Sequence, residues 1–146
     1  MNDESARTRI IASGFRTHVG YRTRAWRDGY AEVELRVGPE HLNSTAAVHG
    51  GVYATLLDAA CGHAACFCTV PGNVRRCVTI SLTTSFLEPA REGDVICAVG
   101  RLLAVEHRVA HVAGEVIDKA GRLLAIGQAS FRYAPGSERP AGVARE

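Results

Sequence analysis

The sequence predicts an α+β fold in which an antiparallel sheet wraps around one long helix. At 146 residues the chain is long enough for one compact domain and too short for two ordinary ones. One stretch, residues 51–67, has the length and the all-round apolar character of a buried helix, whereas five other stretches have the character of strands. Doubly wound folds need a helix between successive strands, so a single long helix favours an antiparallel sheet.

The first forty residues contain two predicted elements. In the lead, residues 1–20, apolar side chains at helical spacing predict a short helix, and these side chains are Ile10, Ile11, Phe15 and Val19. Residues 30–37 alternate strictly between apolar and charged side chains, which predicts a half-buried strand. Gly38 and Pro39 then end the strand.

The rest of the chain is predicted to hold the central helix and four more strands. The helix, residues 51–67, is rich in alanine and leucine, and its acidic and basic side chains are Asp58 and His63. The four strands are expected at residues 77–88, 95–105, 108–118 and 122–133. Asp118 to Gly121 forms a hairpin turn, and the Pro- and Gly-rich residues 134–146 are expected to be a flexible tail. Residues 1–146 thus make one predicted domain.

Composition excludes several classes of protein. Hydrophobic residues make up 47% of the chain and charged residues 22%, which is typical of a globular protein and not of a disordered or membrane-spanning one. The net charge of +2 is spread along the chain, so no nucleic-acid partner is expected. The first residues lack the pattern of a signal peptide, and the five cysteines are an odd number, so we expect a cytoplasmic protein without a disulfide framework.

One segment combines residues that can carry chemistry: Asn43, then His49, Gly50 and Gly51 where the helix begins, then Asp58 within it. The first backbone N–H groups of a helix have no partner inside it and lie at its positive end. Without a Cβ atom, a substrate carbonyl can approach such N–H groups closely, as an oxyanion hole requires. The alternative is a glycine pair that only eases a tight turn into the helix.

Asp58 is a carboxylate in the middle of an otherwise apolar helix. Such a group is costly unless it is paired, hydrogen-bonded or facing a cavity. Its neighbours one helical turn away offer no cation, and they are Ala54, Thr55, Cys61 and Gly62. Asp58 is therefore either a core carboxylate held by backbone or hydroxyl groups, or a general base or nucleophile in a partly dry site.

The spacing of these groups constrains how they could act together. Gly50 and Asp58 are eight residues apart, which is about 12 Å along one helix. A reacting carbonyl must lie ~3 Å from the oxyanion donors and about as close to the attacking group. If both groups act on one substrate, the simplest arrangement is a two-fold dimer in which Gly50 of one subunit faces Asp58 of the other.

The pattern Asn43-x5-His49-Gly50-Gly51-x6-Asp58, followed by VTISLTTSFLEPAREGD, resembles the hotdog-fold acyl-CoA thioesterases of the phenylacetate-degradation (PaaI-like) group. The similarity covers roughly residues 30–133. It implies a five- or six-stranded antiparallel sheet curled around the long helix. It also implies homodimers with a continuous sheet, and often homotetramers made of two dimers.

The resemblance also implies roles for individual residues. Asn43 and the Gly50 N–H would polarise the thioester carbonyl, with His49 beside them. Asp58 from the partner subunit would activate water or attack directly. The implied reaction is hydrolysis of an acyl- or aryl-CoA thioester to the free acid and CoA. It needs no metal and no cofactor, since CoA is part of the substrate.

In this family a hydroxyl residue on the following strand often helps to hold the water. Thr79 occupies the matching place, although Ser81 and Thr83 are expected on the same face of an alternating strand. Gly51 is a candidate substrate-binding residue. Three arginines are candidates for binding the phosphates of CoA, and the alternative is that they are solvated surface charges: Arg75, Arg76 and Arg91. Candidate side chains for the acyl pocket are Leu56, Leu57, Phe67 and Phe86.

Two other functions are compatible with parts of the sequence. A non-catalytic, regulatory acyl-CoA-binding protein of the same fold would use the same pocket without turnover. A zinc site could be drawn from Cys61, His63, Cys66 and Cys68. However, these four residues would lie on different faces of an apolar helix, whereas zinc ligands are usually paired on a hairpin or loop.

Overall fold

A computed structural model of the chain describes residues 13–146. The helices are α1 (Gly14–Val19) and α2 (Gly50–Cys66), with a 3₁₀ turn at Pro39–His41. The strands are β1 (Arg22–Arg27), β2 (Tyr30–Arg36), β3 (Asn73–Val74), β4 (Cys77–Phe86), β5 (Val95–Glu106), β6 (Val109–Asp118), β7 (Leu123–Tyr133) and β8 (Val143–Ala144). No helix within the described residues is long and apolar enough to cross a membrane.

The main sheet has six strands in the order β1-β2-β5-β6-β7-β4, and each neighbouring pair is antiparallel. Helix α2 lies against every strand of this sheet. It buries Leu56, Leu57 and Ala60 completely between itself and the strands. The predicted α+β fold, a sheet wrapped around one long helix, is therefore confirmed.

A row of glycines lets α2 lie close to the sheet. Gly100, Gly114 and Gly127 are direct neighbours across β5, β6 and β7. A Cβ atom at Gly100 would lie 2.5 Å from the carbonyl oxygen of Ala60, and one at Gly114 would lie 2.9 Å from Cys61 Sγ. Both distances are shorter than van der Waals contact. The helix can therefore lie this close to the sheet only because these positions have no side chain.

Of the first two strands, the alternation of apolar and charged residues predicts only the second. The alternation of residues 30–37 corresponds to β2, whose inward side chains are fully buried. Strand β1 precedes it and was not predicted. Within the described part of the chain it forms a sheet edge by pairing with β2 alone. The predicted lead helix corresponds to α1, which contains Phe15 and Val19, whereas Ile10 and Ile11 lie outside the described residues.

The tail predicted to be flexible is instead packed against the domain. Arg75 donates hydrogen bonds to the carbonyl oxygens of Phe67, Ser137 and Glu138. Ser137 is buried, and its hydroxyl accepts from the backbone N–H of Arg76 at 3.0 Å. Strand β8 then pairs with β3. These long-range contacts hold a Pro- and Gly-rich segment in place, so the prediction from local composition was wrong.

Candidate active site

Asp58 lies at the middle of α2 and is half-buried. Its Oδ1 atom accepts a hydrogen bond from Thr79 Oγ1 at 2.7 Å. The ion pairs formed within residues 13–146 do not include Asp58. The carboxylate is therefore held by a hydroxyl group and keeps lone pairs that no cation occupies.

A β-bulge in β4 decides which hydroxyl reaches Asp58. Thr79 pairs with Phe131, but Ser81 pairs with Ser130, so Ile80 is an extra residue in the strand. Thr79 consequently points towards α2. Ser81 and Thr83 lie on the opposite face, where they line a separate open cavity with side chains of β7. The expectation that all three hydroxyls share one face was wrong, because the bulge reverses the alternation.

A cavity of about 330 Å³ opens beside Asp58. Its walls come from α1, α2, β4 and the residue before β1, and the lining residues are Phe15, Tyr21, Ala54, Thr55, Asp58, Ala59 and Leu82. Neither Phe15 nor Tyr21 was predicted to be a site residue. Burial raises the pKa of the Tyr21 phenol, an effect that the Arg16 charge opposes and the Asp58 charge reinforces. The cavity thus combines one carboxylate with apolar and aromatic walls.

The start of α2 leaves one backbone donor unused. His49 is the N-cap: its Nδ1 accepts from the N–H of Gly51 at 2.8 Å, and its carbonyl accepts from Val52. The N–H of Gly50 has no acceptor among the described residues. A Cβ atom at Gly50 would lie 3.3 Å from the ring of Phe86. The Gly50 N–H is therefore free to bind a carbonyl oxygen at the positive end of the helix.

Asn43 is oriented by its own loop. Its Oδ1 accepts hydrogen bonds from the N–H and hydroxyl of Thr45 and from the N–H of Ala47. Three donors fix the amide so that Nδ2 points away from them, and no described group accepts from Nδ2. Arg91 braces the same loop by donating to the carbonyls of Thr45 and Ala46. The loop thus presents a second unused donor.

The structure does not bring the two halves of the site together within one chain. Gly50 begins α2 and Asp58 is eight residues further on, so their backbones are about 12 Å apart along the helix. Asn43 lies in the loop that precedes α2, whereas Thr79 is hydrogen-bonded to Asp58 within it. The prediction that one continuous helix separates the donors from the carboxylate is confirmed.

The arginines expected at CoA have other contacts. The guanidinium of Arg75 is bound to three carbonyls and lies 4.8 Å from the centre of the Tyr133 ring. Arg91 holds the Asn43 loop as described above. Arg76 is exposed and is held through its backbone N–H. A role of these residues at CoA stays a prediction, and the geometry gives two of them a structural role.

The side chains expected at the acyl pocket occupy three different places. Leu56 and Leu57 are fully buried in the core and do not line the cavity, because the helix turns them away from the face of Asp58. Phe67 packs edge-on against Trp26. Phe86 is 53% exposed and stacks on Tyr53 near the start of α2. The two leucines therefore do not line the cavity beside Asp58, and a role of these four side chains in an acyl pocket stays a prediction.

The residues considered for a zinc site are dispersed. Within residues 13–146 no group of three or more His, Cys, Asp or Glu side chains is placed to hold a metal ion. His63 is bound to the carbonyl of Ala59 and lies against Trp26. Burial, reinforced by the charge of Asp58, raises the pKa of the Cys61 thiol to about 12.

Comparison with known proteins identifies a family and related sequences for this chain. The thioesterase superfamily profile matches residues 46–125. A putative esterase of Archaeoglobus fulgidus is 30% identical over 100 residues, which are 68% of this chain and 62% of that protein. Human acyl-coenzyme A thioesterase 13 is 30% identical over 96 residues, or 65% of this chain and 66% of that protein. The chain thus spans just under two thirds of the length of these relatives.

Solved structures show the same fold. The PaaI protein from the phenylacetic acid degradation operon of E. coli is 20% identical, with a TM-score of 0.77 over 91% of this chain and 88% of that one. The predicted hotdog fold is therefore confirmed, and this PaaI protein shares it. Since the superfamily profile covers more than half of the sequence, the chain belongs to the thioesterase superfamily.

Proposed function

We propose that the protein hydrolyses an acyl- or aryl-CoA thioester to the free acid and CoA. One observation carries the proposal: the Asp58 carboxylate faces a cavity, is held by the Thr79 hydroxyl and has no cationic partner among the described residues. Membership of the thioesterase superfamily supports this chemistry. The name of the human relative, an acyl-coenzyme A thioesterase, supports the substrate class.

The carboxylate supplies the base. Asp58 takes a proton from a water molecule while the water oxygen attacks the thioester carbonyl carbon. Thr79 holds one carboxylate oxygen and leaves the other for the water. The tetrahedral intermediate then breaks its carbon–sulfur bond, and the proton on Asp58 passes to the departing sulfur. A thiol of ordinary pKa about 8.5 is a good leaving group, so a single carboxylate and an oxyanion hole suffice.

The oxyanion hole is formed by two donors near the start of α2. The free Gly50 N–H and the Asn43 Nδ2 group stabilise the negative charge that develops on the carbonyl oxygen. His49 has a positioning role. Its Nδ1 accepts a hydrogen bond from the Gly51 N–H and thereby fixes the first turn of the helix. Removing one such donor lowers kcat by about 10²–10³ in a comparable site.

Two chains are needed to bring these groups together. Among residues 13–146 no strand lies beside the outer edge of β4, and this strand exposes Val78 and Ile80 by 63% and 50%. An apolar edge strand with unpaired backbone groups favours pairing with a second copy. We infer a homodimer joined along β4, in which Gly50 of one subunit faces Asp58 of the partner subunit. A homotetramer of two such dimers is also expected.

A panel of CoA thioesters tests the function. The release of CoA is followed with a thiol reagent for wild type, for Asp58→Asn, and for Asp28→Asn as a matched control at an exposed turn. We expect hydrolysis of at least one thioester, a 10²–10⁴-fold loss in Asp58→Asn and no loss in the control. Unchanged activity in Asp58→Asn would refute the mechanism. Tight binding of a thioester without turnover would favour a non-catalytic acyl-CoA-binding protein.

Isotope labelling detects direct attack in which water then opens the anhydride at the Asp58 carboxyl carbon. If Asp58 attacks the carbonyl carbon itself, a mixed anhydride forms and water then opens it. A single turnover in ¹⁸O water would place the label in the Asp58 carboxylate after attack of water on the Asp58 side of the anhydride. We expect the label only in the product acid, because Thr79 holds Asp58 as an acceptor next to the cavity.

A further inference from the structure

Two thiols meet where α2 ends and β4 begins. Cys66 is the last residue of α2, Cys77 is the first of β4, and their Sγ atoms are 3.1 Å apart. Both are partly exposed and neither is in a disulfide. The other three cysteines are buried and have no thiol partner, and they are Cys61, Cys68 and Cys97. The pair is therefore distinct from the remaining cysteines in both geometry and access.

The surroundings of the two sulfurs shift the pKa values of the two thiols in opposite directions. The thiol of Cys66 donates a hydrogen bond to Cys77 Sγ, which lowers the pKa of Cys77 and raises that of Cys66. Burial and the charge of Asp58 oppose this lowering of the Cys77 pKa, whereas the positive charge of Arg75 supports it. A thiolate is the nucleophilic form of cysteine and is favoured next to an arginine. Cys77 is thus the attacking thiol and Cys66 is placed to resolve the product.

The distance between the sulfurs is close to bonding distance. A disulfide has an S–S length of about 2.05 Å, so the two atoms need to approach by about 1 Å. The bond would join the helix that carries Asp58 to the strand that carries Thr79, which lies two residues beyond Cys77.

We propose that Cys66 and Cys77 form a reversible disulfide when the protein meets a low-molecular-weight disulfide. The Cys77 thiolate attacks one sulfur of the small disulfide, whose S–S bond breaks and releases one thiolate. Cys66 then loses its proton to solvent and attacks Cys77 Sγ, which releases the second small thiolate. The cysteine pair is oxidised by two electrons, and the small disulfide is reduced to two thiols.

Mass spectrometry of the full-length protein tests this site. Reduced protein is incubated with oxidised glutathione, the remaining thiols are alkylated, and the linked peptides are mapped before and after reduction. We expect one linkage, between Cys66 and Cys77, that a reductant reverses. We also expect Cys77 to react at least ~10-fold faster than the buried thiols, since the fold covers those.

Two variants sharpen the result. In Cys66→Ser the glutathione adduct should stay on Cys77, because no thiol resolves it, whereas Cys97→Ser should form the same linkage as wild type. The proposal is overturned if both thiols of wild type stay open to alkylation, if another pair is linked, or if the linkage joins two chains. Mapping of wild type alone decides these outcomes. No step uses a thioester, so the result is independent of the proposed hydrolysis.

Discussion

The glycine row under α2 makes a prediction for Gly100→Ala. The added Cβ would lie 2.5 Å and 2.7 Å from the carbonyl oxygen and carbon of Ala60 and 2.9 Å from the nitrogen of Cys61. These are backbone atoms of α2, so no flexible side chain can move aside, and the helix itself must shift by about 1 Å to restore van der Waals contact near 3.5 Å. Overpacking of this kind costs about 1–3 kcal/mol.

Thermal unfolding measures this cost. For a domain of this size 1 kcal/mol corresponds to roughly 3 °C, so the Tm of Gly100→Ala should fall by roughly 3–9 °C. Gly14→Ala is the control, because nothing lies within 4 Å of its Cβ position. It should leave the Tm unchanged or slightly higher, since alanine favours a helix more than glycine does. An equal Tm for wild type and Gly100→Ala would refute the close approach of α2 to the sheet.

Three other variants test contacts at the site, on the helix and at the tail. Thr79→Val should lower kcat about tenfold or more by removing a hydrogen bond to Asp58, whereas Thr83→Val on the opposite face should not, as steady-state kinetics will show. Burial lowers the pKa of His63 below 6.5, so the unfolded chain binds the proton more readily, and the free energy of unfolding should decrease as the pH falls through 6.5 towards the folded pKa. Denaturant titrations across this range should show a flatter pH dependence in His63→Gln. Arg75→Gln should free the C-terminal residues, and limited proteolysis should remove them faster than in wild type.

Local sequence patterns predicted the elements whose buried side chains recur with a regular spacing along the chain. The all-round apolar stretch became α2 within one residue at each end, because a helix enclosed by a sheet must be apolar on every side. The alternation of residues 30–37 became β2, with one face in the core. Gly121 adopts a φ of +81° in the predicted hairpin turn, where glycine is favoured. The predicted start of the helix also agrees with the positions of Gly50, the first residue of α2, and Asn43, which lies in the preceding loop.

Features set by distant contacts were not predictable from local pattern. Strand β1 is an edge strand rich in arginine, so it lacks the apolar alternation that identifies a strand. The bulge at Ile80 selects Thr79 over the other hydroxyls, and no residue type marks it. The tail is held by Arg75, more than sixty residues away in the chain from Ser137. Tyr21 joins the cavity only because β1 brings the start of the chain next to α2.

In the proposed dimer two chains share one site, with the carbonyl-binding donors on one and Asp58 on the other. Hybrid dimers of Asp58→Ala and Asn43→Ala subunits, purified through two different affinity tags, test this sharing. Each variant alone should be nearly inactive towards a CoA thioester that wild type hydrolyses. A hybrid would contain one intact site of two, so it should recover about half of the wild-type activity. Hybrids that are as inactive as either variant would contradict the shared site, since a site within one chain is damaged in every subunit.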